Sequence, residues 1–412
     1  MKGWDERPLR AYSEIRLGRQ RSPENSEGPH MIRYLRAANV QDGTLDLTDV
    51  KVMNFTPEEQ AVFSLRSGDV LVTEGSGSLS SVGASAVWRE ELSGVVCFQN
   101  TLIRLRPRSD RTDGRFLGWW ARHAFADGLF AAIATGANIH HVSAERVRDL
   151  RMRFPQLDIQ RAIADFLDVE TARIDALVAK KRRMSELAFE QLGARIEQLL
   201  TDSDVEFALL RRLLTRPPQY GASETGAPIG DGWPRYIRIT DLNLDGTLRS
   251  GDVRFLAPEI AESYLLDDGD ILVARSGATV GKAFMYKNTM GPSAFAGYLI
   301  RLVFDPETLL PGLVEHWTQT NHYWSQIGGS LVQATIQNVS AEKYKDLLVP
   351  VPDRERQADI LELLDRHRGR VHDVTEALKR QIGLLSEHRQ ALITAAVTGG
   401  LDVAESLAEE AS

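Results

Sequence analysis

A glycine-rich segment in the second half of the chain could, from its residue types, bind a phosphate. In Gly277-Ala-Thr-Val-Gly281-Lys282-Ala283 a lysine follows a glycine directly, as in a nucleotide-binding loop. Such a loop has four residues between its glycines, and the Ser or Thr after its lysine holds Mg²⁺. Here only three residues intervene, and Ala283 has no oxygen to offer. The spacing therefore argues against nucleotide binding.

Three further motifs with possible chemistry are also incomplete. Gly75-Ser76-Gly77 lacks the third glycine of a dinucleotide-binding fingerprint, because that position is Ser80. The adjacent pair His140-His141 has no accompanying set of cysteine or carboxylate ligands for a metal. Pro352-Asp353 begins like a nuclease motif, but no suitably placed Glu-x-Lys follows. Without a Ser-His-Asp arrangement, an adenine-methyltransferase tetrapeptide or an AdoMet-type glycine motif, the sequence predicts no catalytic chemistry.

The elements that would position these segments are written twice along the chain. In each copy a Gly-Asp turn leads into an apolar strand, which is a turn-then-strand signal. These turns are Ser67-Gly-Asp-Val-Leu-Val72 in the first copy and Asp268-Gly-Asp-Ile-Leu-Val273 in the second. The separation is 202 residues from Tyr34 to Tyr236 and 197 from Pro155 to Pro352, as expected for a duplication with small loop insertions. The sequence predicts two similar mixed α/β halves, which suit a two-part target.

Each copy ends in a long segment with helical periodicity. After Pro155 and after Pro352, apolar residues recur at steps of three and four with charges between them. A helix of this length measures about 60 Å at 1.5 Å per residue. Because one long amphipathic helix is not stable alone in water, we expect the two helices to pair as an antiparallel coiled coil. Such a rod would hold the two globular halves a fixed distance apart.

The bulk composition describes a folded protein without a disulfide framework. Hydrophobic residues make up 43% and charged residues 26% of the 412 residues, as in globular domains. The single Cys97 excludes an internal disulfide and fits a reducing cytoplasm. No apolar run approaches the roughly 18 to 20 residues that span a bilayer, so we expect a cytoplasmic protein.

The charge balance points in two directions. The net charge of −8 argues against nucleic acid binding, but most of the acidity lies on the two helical segments. The cations are mainly arginines, whose planar guanidinium can pair bidentately with guanine edges or with phosphates. A GC-rich genome would produce the same arginine bias, so composition alone does not separate the two explanations.

Four segments of the second copy are more specific than the general repeat. They are Tyr236-Ile-Arg-Ile-Thr-Asp-Leu, Gly269-Asp-Ile-Leu-Val-Ala-Arg-Ser-Gly, Ile336-Gln-Asn-Val-Ser and Glu387-His-Arg-Gln-Ala-Leu-Ile-Thr-Ala-Ala-Val-Thr-Gly399. On these segments the chain resembles, over nearly its whole length, the specificity subunit of type I restriction-modification systems. The first copy departs at Glu74, where the second has Arg275, and its helix lacks the Ala-Val-Thr-Gly terminus.

The resemblance implies a fold, a division of labour and a set of partners. It implies two tandem target-recognition domains joined by two spacer helices that also dock methyltransferase and restriction subunits. AdoMet, ATP and Mg²⁺ would belong to those partner chains, and double-stranded DNA would be the ligand. We place the segments at 1–155 and 205–352 for the recognition domains, 156–204 and 353–400 for the spacer helices, and 401–412 for a tail.

Polar residues on turn-rich segments are the predicted DNA contacts, because readout needs donors and acceptors that can enter a groove. In the first domain they are Arg16, Arg19, Arg21, Arg36, Ser76, Ser78, Arg106, Arg108, His140 and His141. In the second they are Arg238, Arg275, Ser276, Thr279, Lys282, Gln333, Thr335 and Gln337. The predicted partner-binding residues are apolar positions near the end of the second helix, namely Leu385, Leu392, Ile393 and Val397. The alternative function is a coiled-coil scaffold whose duplicated domains bind protein.

Overall fold

The computed structural model describes residues 4–76, 81–136, 140–202, 204–243, 247–249, 251–331 and 338–401. The chain forms two compact units. Unit 1 contains residues 1–180 and 380–412, and unit 2 contains residues 181–379. The division cuts through both long helices, whereas the boundaries predicted from the sequence treat those helices as separate segments.

Unit 1 is built from short strands and helices that precede the first long helix. Its strands are Asp5–Pro8, Ser13–Leu17, Met31–Leu35, Val40–Gln41, Thr44–Leu45, Lys51–Asn54, Val70–Thr73, Gly75–Ser76, Ser85–Val87, Val96–Phe98, Leu102–Pro107, His140–His141 and Arg151–Phe154. Its α-helices are Pro57–Phe63, Gly114–Ala126, Leu129–Ala132 and Ala144–Asp149, followed by the long helix Leu157–Leu200.

Unit 2 repeats this plan. Its strands are Glu206–Leu209, Gln219–Tyr220, Arg235–Ile237, Arg254–Phe255, Ile271–Ala274, Ala283–Met285, Ser293–Phe295, Leu299–Leu302 and Leu348–Val351. Its α-helices are Pro258–Ala261, Pro311–Trp317, Asn321–Leu331 and Ala341–Lys345, followed by the long helix Arg354–Thr398. The predicted fold class, two mixed α/β domains joined by long helices, is confirmed.

The central sheets of the two units have the same strand order. In unit 1 the antiparallel order is Ser13–Leu17, Leu102–Pro107, Val70–Thr73 and Ser85–Val87. In unit 2 it is Gln219–Tyr220, Leu299–Leu302, Ile271–Ala274 and Ala283–Met285. A second sheet of three strands, one pair of them parallel, also occurs in both units. The duplication seen in the sequence is therefore a duplication of topology and register.

The Gly-Asp turn begins the central strand of each sheet for a physical reason. Gly68 and Gly269 have φ angles of 87° and 84°, which glycine adopts without steric cost. The next residue closes the turn with its carboxylate: Asp69 accepts a hydrogen bond from the Arg66 backbone N–H at 2.8 Å. In unit 2 Asp270 accepts one from the Asp267 backbone N–H at 2.9 Å. The strands that follow are fully buried in both units.

A buried glutamine fixes the start of each long helix to its own unit. The Gln160 side chain donates to the Pro155 and Arg111 carbonyls and accepts from the Asp113 N–H. In unit 2 the Gln357 side chain donates to the Pro352 and Thr308 carbonyls and accepts from the Leu310 N–H. Both glutamines are 1% exposed, so these buried backbone groups depend on them for partners.

The ends of the long helices are buried while much of their middle is not. Ile163 and Leu167 lie in the core of unit 1, and Ile196 and Leu200 lie in the core of unit 2. Along the middle of the first long helix the apolar side chains of Leu177, Met184 and Leu187 are 48%, 48% and 39% exposed. No helix within the described ranges is long and apolar enough to cross a membrane.

Candidate nucleic-acid interface

The most divergent positions of the duplication occupy the same backbone environment in each unit. Glu74 directly follows a central strand, donates its N–H to the Thr101 carbonyl at 2.9 Å, and accepts from the Val142 N–H at 2.8 Å. In unit 2 Arg275 donates its N–H to the Tyr298 carbonyl at 3.0 Å and accepts from the Val339 N–H at 2.8 Å. The backbone is the same, so only the side chains distinguish the two places.

We call the place in unit 1 site 1, formed by Glu74, Gly75, His140, His141 and Thr101. The strands Gly75–Ser76 and His140–His141 pair antiparallel and bring His141 opposite Gly75. The Nδ1 atom of His141 lies 3.0 Å from Oε2 of Glu74. Because an ionised carboxylate only accepts hydrogen bonds, this contact is a hydrogen bond in the tautomer that has the proton on Nδ1 of His141. The Glu74 side chain is 20% exposed, so site 1 presents a hydrogen-bond acceptor of negative charge.

We call the place in unit 2 site 2, formed by Arg275, Ser276, Asn338, Tyr220 and Tyr298. Ser276 bridges to Asn338, just as Gly75 pairs with His141 in site 1. The guanidinium carbon of Arg275 lies 4.7 Å from the centre of the Tyr220 ring, a cation–π contact. Among the described residues, the Nε of Arg275 and the Oδ1 of Asn338 are buried without a hydrogen-bond partner. Site 2 therefore carries the positive charge of Arg275 where site 1 carries a carboxylate.

Two aromatic rings border site 2, and both are exposed to solvent. Tyr298 is 62% exposed and Tyr220 is 40% exposed. In unit 1 the strand positions that correspond to them hold Leu17, opposite Ile103, and Thr101. Aromatic rings that lie at a surface offer a flat face for stacking beside an arginine. Site 2 thus differs from site 1 in both charge and shape.

Five of the predicted DNA-contacting arginines form ion pairs within the protein. They are Arg16 with Glu14, Arg19 with Glu59, Arg36 with Asp49, Arg106 with Asp69, and Arg238 with Asp241 and Asp252. The Arg106 pair is bidentate, with distances of 2.8 and 2.7 Å to the Asp69 carboxylate. The pKa of Arg238 is raised, and the main cause is its hydrogen bond to the Asp241 side chain. These guanidinium groups stabilise the fold, and base contacts would compete with their carboxylates.

A cleft of about 710 Å³ in unit 1 brings two of the predicted contacts together. It is lined by Arg21, Arg36, Lys51 and Gln99, with the 3₁₀ turn Pro23–Asn25 at its edge. Arg21 is exposed and, in the portion of the chain that the structure describes, has no ion pair. The cleft is therefore a polar, cationic surface of unit 1, in contrast to the acidic site 1.

The remaining predicted contacts fall into four groups. Arg108 is exposed and donates weakly to the Arg10 carbonyl, at 3.4 Å. Thr279 closes the short 3₁₀ helix Gly277–Thr279 next to site 2, and Lys282 follows it. Ser76 lies in the strand that borders site 1. Four predicted residues, Ser78, Gln333, Thr335 and Gln337, lie outside the described residues.

The predicted partner-binding residues lie against unit 1. Ile393 is 0% exposed and Val397 is 2% exposed, and both belong to the core of unit 1. Leu392 packs against that core and Leu385 is half-buried. The end of the second helix completes the hydrophobic core of unit 1, which leaves Ile393 and Val397 no surface for another chain. Leu384, at 64% exposed, is the open apolar side chain in this stretch.

Sequence reasoning missed Tyr220 and Tyr298 as site residues, whereas the disagreement between His140-His141 and Gln337-Asn338 already marked Asn338. For Tyr298 a usable signal was present, because it stands where an otherwise similar segment of the first copy has Thr101. Among the residues that the structure describes, no group of three or more His, Cys, Asp or Glu side chains could hold a metal ion.

Comparisons with known proteins agree with the duplicated architecture. Residues 1–183 match the family model described as the type I restriction modification DNA specificity domain. The chain is 23% identical over 425 residues to the type I restriction enzyme StySPI specificity subunit of Salmonella potsdam, covering 97% of this chain and 89% of that one. It is 24% identical to the EcoKI specificity subunit of Escherichia coli K12, covering 89% of this chain and 82% of that one.

Solved structures share the fold over almost the whole chain. A chain described under "complex assembly and conformational transition of the type I R-M system" superimposes with a TM-score of 0.74 at 16% identity, covering 97% of this chain and 99% of that one. The HsdS subunit from Thermoanaerobacter tengcongensis gives a TM-score of 0.50 at 17% identity, covering 97% and 98%.

The two copies of the fold carry opposite charges at equivalent positions, Glu74 and Arg275. This arrangement is expected of a protein that recognises two different features of a target. The family match in unit 1 and the relatives that span nearly the full length give that class a more specific description. Residues 1–183 belong to the type I restriction modification DNA specificity domain family, and over nearly its whole length the chain is similar to specificity subunits of type I restriction-modification systems. Such subunits are non-catalytic, in agreement with the prediction from the incomplete sequence motifs.

Proposed function

We propose that unit 1 and unit 2 each read one half of a split DNA sequence for a type I restriction-modification complex. The observation that carries this proposal is the pair of equivalent backbone sites with opposite side chains, Glu74 in unit 1 and Arg275 in unit 2. A protein with two identical targets would not need this divergence, whereas two different half-sites require it.

The test is to map N6-methyladenine in the host genome with and without the gene. We expect a split motif to be methylated in the wild-type host and unmethylated after deletion, and restored by the gene supplied on a plasmid. A deletion strain whose methylated motifs are unchanged would contradict the proposal. The alternative function, a protein-binding scaffold, predicts that unchanged pattern.

The finer part of the proposal concerns partners and cofactors. We place a docking surface for a methyltransferase subunit on the exposed apolar side chains of the first long helix within unit 2, Met184, Leu187 and Phe189, which are 39% to 48% exposed. Apolar side chains on a helix favour packing against helices of another chain. AdoMet, ATP and Mg²⁺ would be bound by the methyltransferase and restriction subunits, and this chain would hold no cofactor. The complex would work in the cytoplasm.

A further inference from the structure

The chemistry of site 2 favours one kind of base edge. Guanine presents two acceptors, O6 and N7, in the major groove, and arginine is the side chain that pairs with both at once. Arg275 is held by its contact with the Tyr220 ring, and its Nε is buried without a hydrogen-bond partner among the residues that the structure describes. In the described part of the chain no carboxylate pairs with it, in contrast to Arg238 in the same unit. The guanidinium is thus oriented by an aromatic ring, and a bidentate contact with a base would use its two terminal Nη groups rather than the buried Nε.

The chemistry of site 1 favours the opposite edge. Cytosine presents the N4 amino group, a donor, and carboxylates accept from it. Glu74 already accepts from Nδ1 of His141 through one oxygen, Oε2, at 3.0 Å. This contact fixes the carboxylate and leaves Oε1 as the acceptor for an incoming donor. An arginine in the position of Glu74 could not accept a hydrogen bond from His141, because a guanidinium group has only donors.

We propose that Arg275 reads the guanine of a G·C pair in one half-site and that Glu74 reads the cytosine of a G·C pair in the other. This inference rests on the proposed function and makes it more specific, because it assigns a base edge to each unit. The equivalent backbone hydrogen bonds at residues 74 and 275 mean that the side chain alone sets the preference. Tyr298 beside Arg275, at 62% exposed, completes the difference in shape.

The experiment uses the full-length chain with the subunits that co-purify from its host, and duplexes that carry the methylated motif. Each base pair of the motif is replaced in turn, and binding is measured at one salt concentration. For the wild type we expect one G·C pair in each half-site whose replacement weakens binding by about 5- to 150-fold. In Arg275→Ala the penalty should vanish at one of these pairs and persist at every other position.

Arg275→Lys separates base reading from a phosphate contact. Lysine keeps the charge but lacks the planar fork of the guanidinium, so it pairs less well with O6 and N7 of guanine. If Arg275 reads guanine, Arg275→Lys loses part of the discrimination at the same G·C pair while its affinity for unrelated DNA stays near that of the wild type. If Arg275 only contacts a phosphate, Arg275→Ala weakens binding to every duplex alike, and the proposal for site 2 is overturned.

A modified base identifies which strand is read. In 7-deazaguanine the N7 acceptor is a C–H group, and base pairing is kept. At the G·C pair assigned to site 2 this base should weaken wild-type binding and have no effect on Arg275→Ala. At the pair assigned to site 1 it should have no effect, whereas Glu74→Gln should shift the preference towards adenine. Sensitivity to 7-deazaguanine at the pair that Glu74→Gln affects would overturn the proposal for site 1.

The proposed function fails in a different way. If the wild-type complex shows no split motif at all, the proposed function is wrong. If the split motif is present but neither substitution changes a G·C pair, only the base assignment is wrong. Thermal unfolding of each variant confirms that a change in binding does not arise from loss of the fold.

Discussion

Site 1 and site 2 share a backbone and differ in nearly every side chain. Glu74 and Arg275 make the same two backbone hydrogen bonds, yet one side chain accepts from a histidine and the other lies over a tyrosine ring. On one side this backbone is held by a buried valine in both units, Val142 and Val339, whereas on the other side Thr101 and Tyr298 differ, as do the side chains that face outward. Duplication has thus kept the geometry and left recognition free to change.

The buried supports of the two units are equivalent in place but not identical in chemistry. Asp69 pairs with Arg106 at two points, whereas Asp270 lies 3.3 Å from Arg301. In the long helix of unit 1 the Asp168 carboxylate accepts a hydrogen bond from the Trp119 indole N–H at 2.9 Å. In unit 2 the corresponding Asp365 lies 2.9 Å from Nε2 of His316. Because these buried partners differ, we expect equivalent substitutions to change the free energy of unfolding of the two units by different amounts.

The largest expected effect comes from removing the carboxylate of the Gly-Asp turn. Asp69→Asn removes the buried counter-charge of Arg106, which pairs with Asp69 at two points, and should destabilise unit 1 by about 3 to 5 kcal/mol. Asp270→Asn should cost less, because burial raises the pKa of Asp270 and its ionised form is already disfavoured. Urea unfolding of the full chain, with hydrogen exchange to separate the units, measures both. Equal losses would show that the two turns are energetically alike.

The second expected effect is a dependence on pH that is larger in unit 2, although burial also lowers the pKa of His123 in unit 1. His316 is 0% exposed, and burial, followed by the charge of Arg368, lowers its pKa to about 4. In the unfolded chain a histidine titrates near pH 6.5, so unfolding takes up a proton between pH 6.5 and about 4. Stability is therefore lost as the pH falls through this window, by up to about 3 kcal/mol at its lower end.

The matched control for His316 is a side chain that donates without titrating. His316→Gln can still donate to Asp365, and Trp119 holds that position in unit 1. Urea unfolding at a series of pH values should show a smaller loss in His316→Gln than in the wild type. The same loss in both proteins would assign the pH dependence to other groups.

The smallest expected effect sharpens the comparison of the two sites themselves. Tyr220→Leu places in site 2 the residue type that unit 1 has at Leu17. The cation–π contact with Arg275 is worth about 0.5 to 1 kcal/mol at an exposed site. Discrimination at the G·C pair assigned to Arg275 should therefore fall by about 2- to 5-fold. Tyr220→Phe, which keeps the ring, should behave as the wild type in the same binding assay, and an equal loss in both variants would assign the effect to the hydroxyl group.

Much of the fold could be predicted from the sequence because its signals are local. The Gly-Asp turns, the apolar strands after Gly68 and Gly269, and the periodicity of the long helices depend on neighbouring residues. Candidate contacts were harder to select. Arg19, Arg36 and Arg106 look like exposed donors in the sequence, but each meets a carboxylate that is 13 to 40 residues away in the chain. Sequence spacing does not reveal such ion pairs.

The sequence by itself determined the duplication and the absence of catalytic motifs. It also determined two places where the copies disagree: Glu74 corresponds to Arg275, and His141 corresponds to Asn338. Only the tertiary structure decided that these positions meet. Glu74 and His141 are separated by 67 residues, and a contact over that distance exists only when the sheet and its loops are folded. The same holds for Ile393 and Val397, whose apolar character is visible in the sequence but whose burial in unit 1 depends on packing. Local patterns specify elements, and packing specifies which side chains remain free to bind.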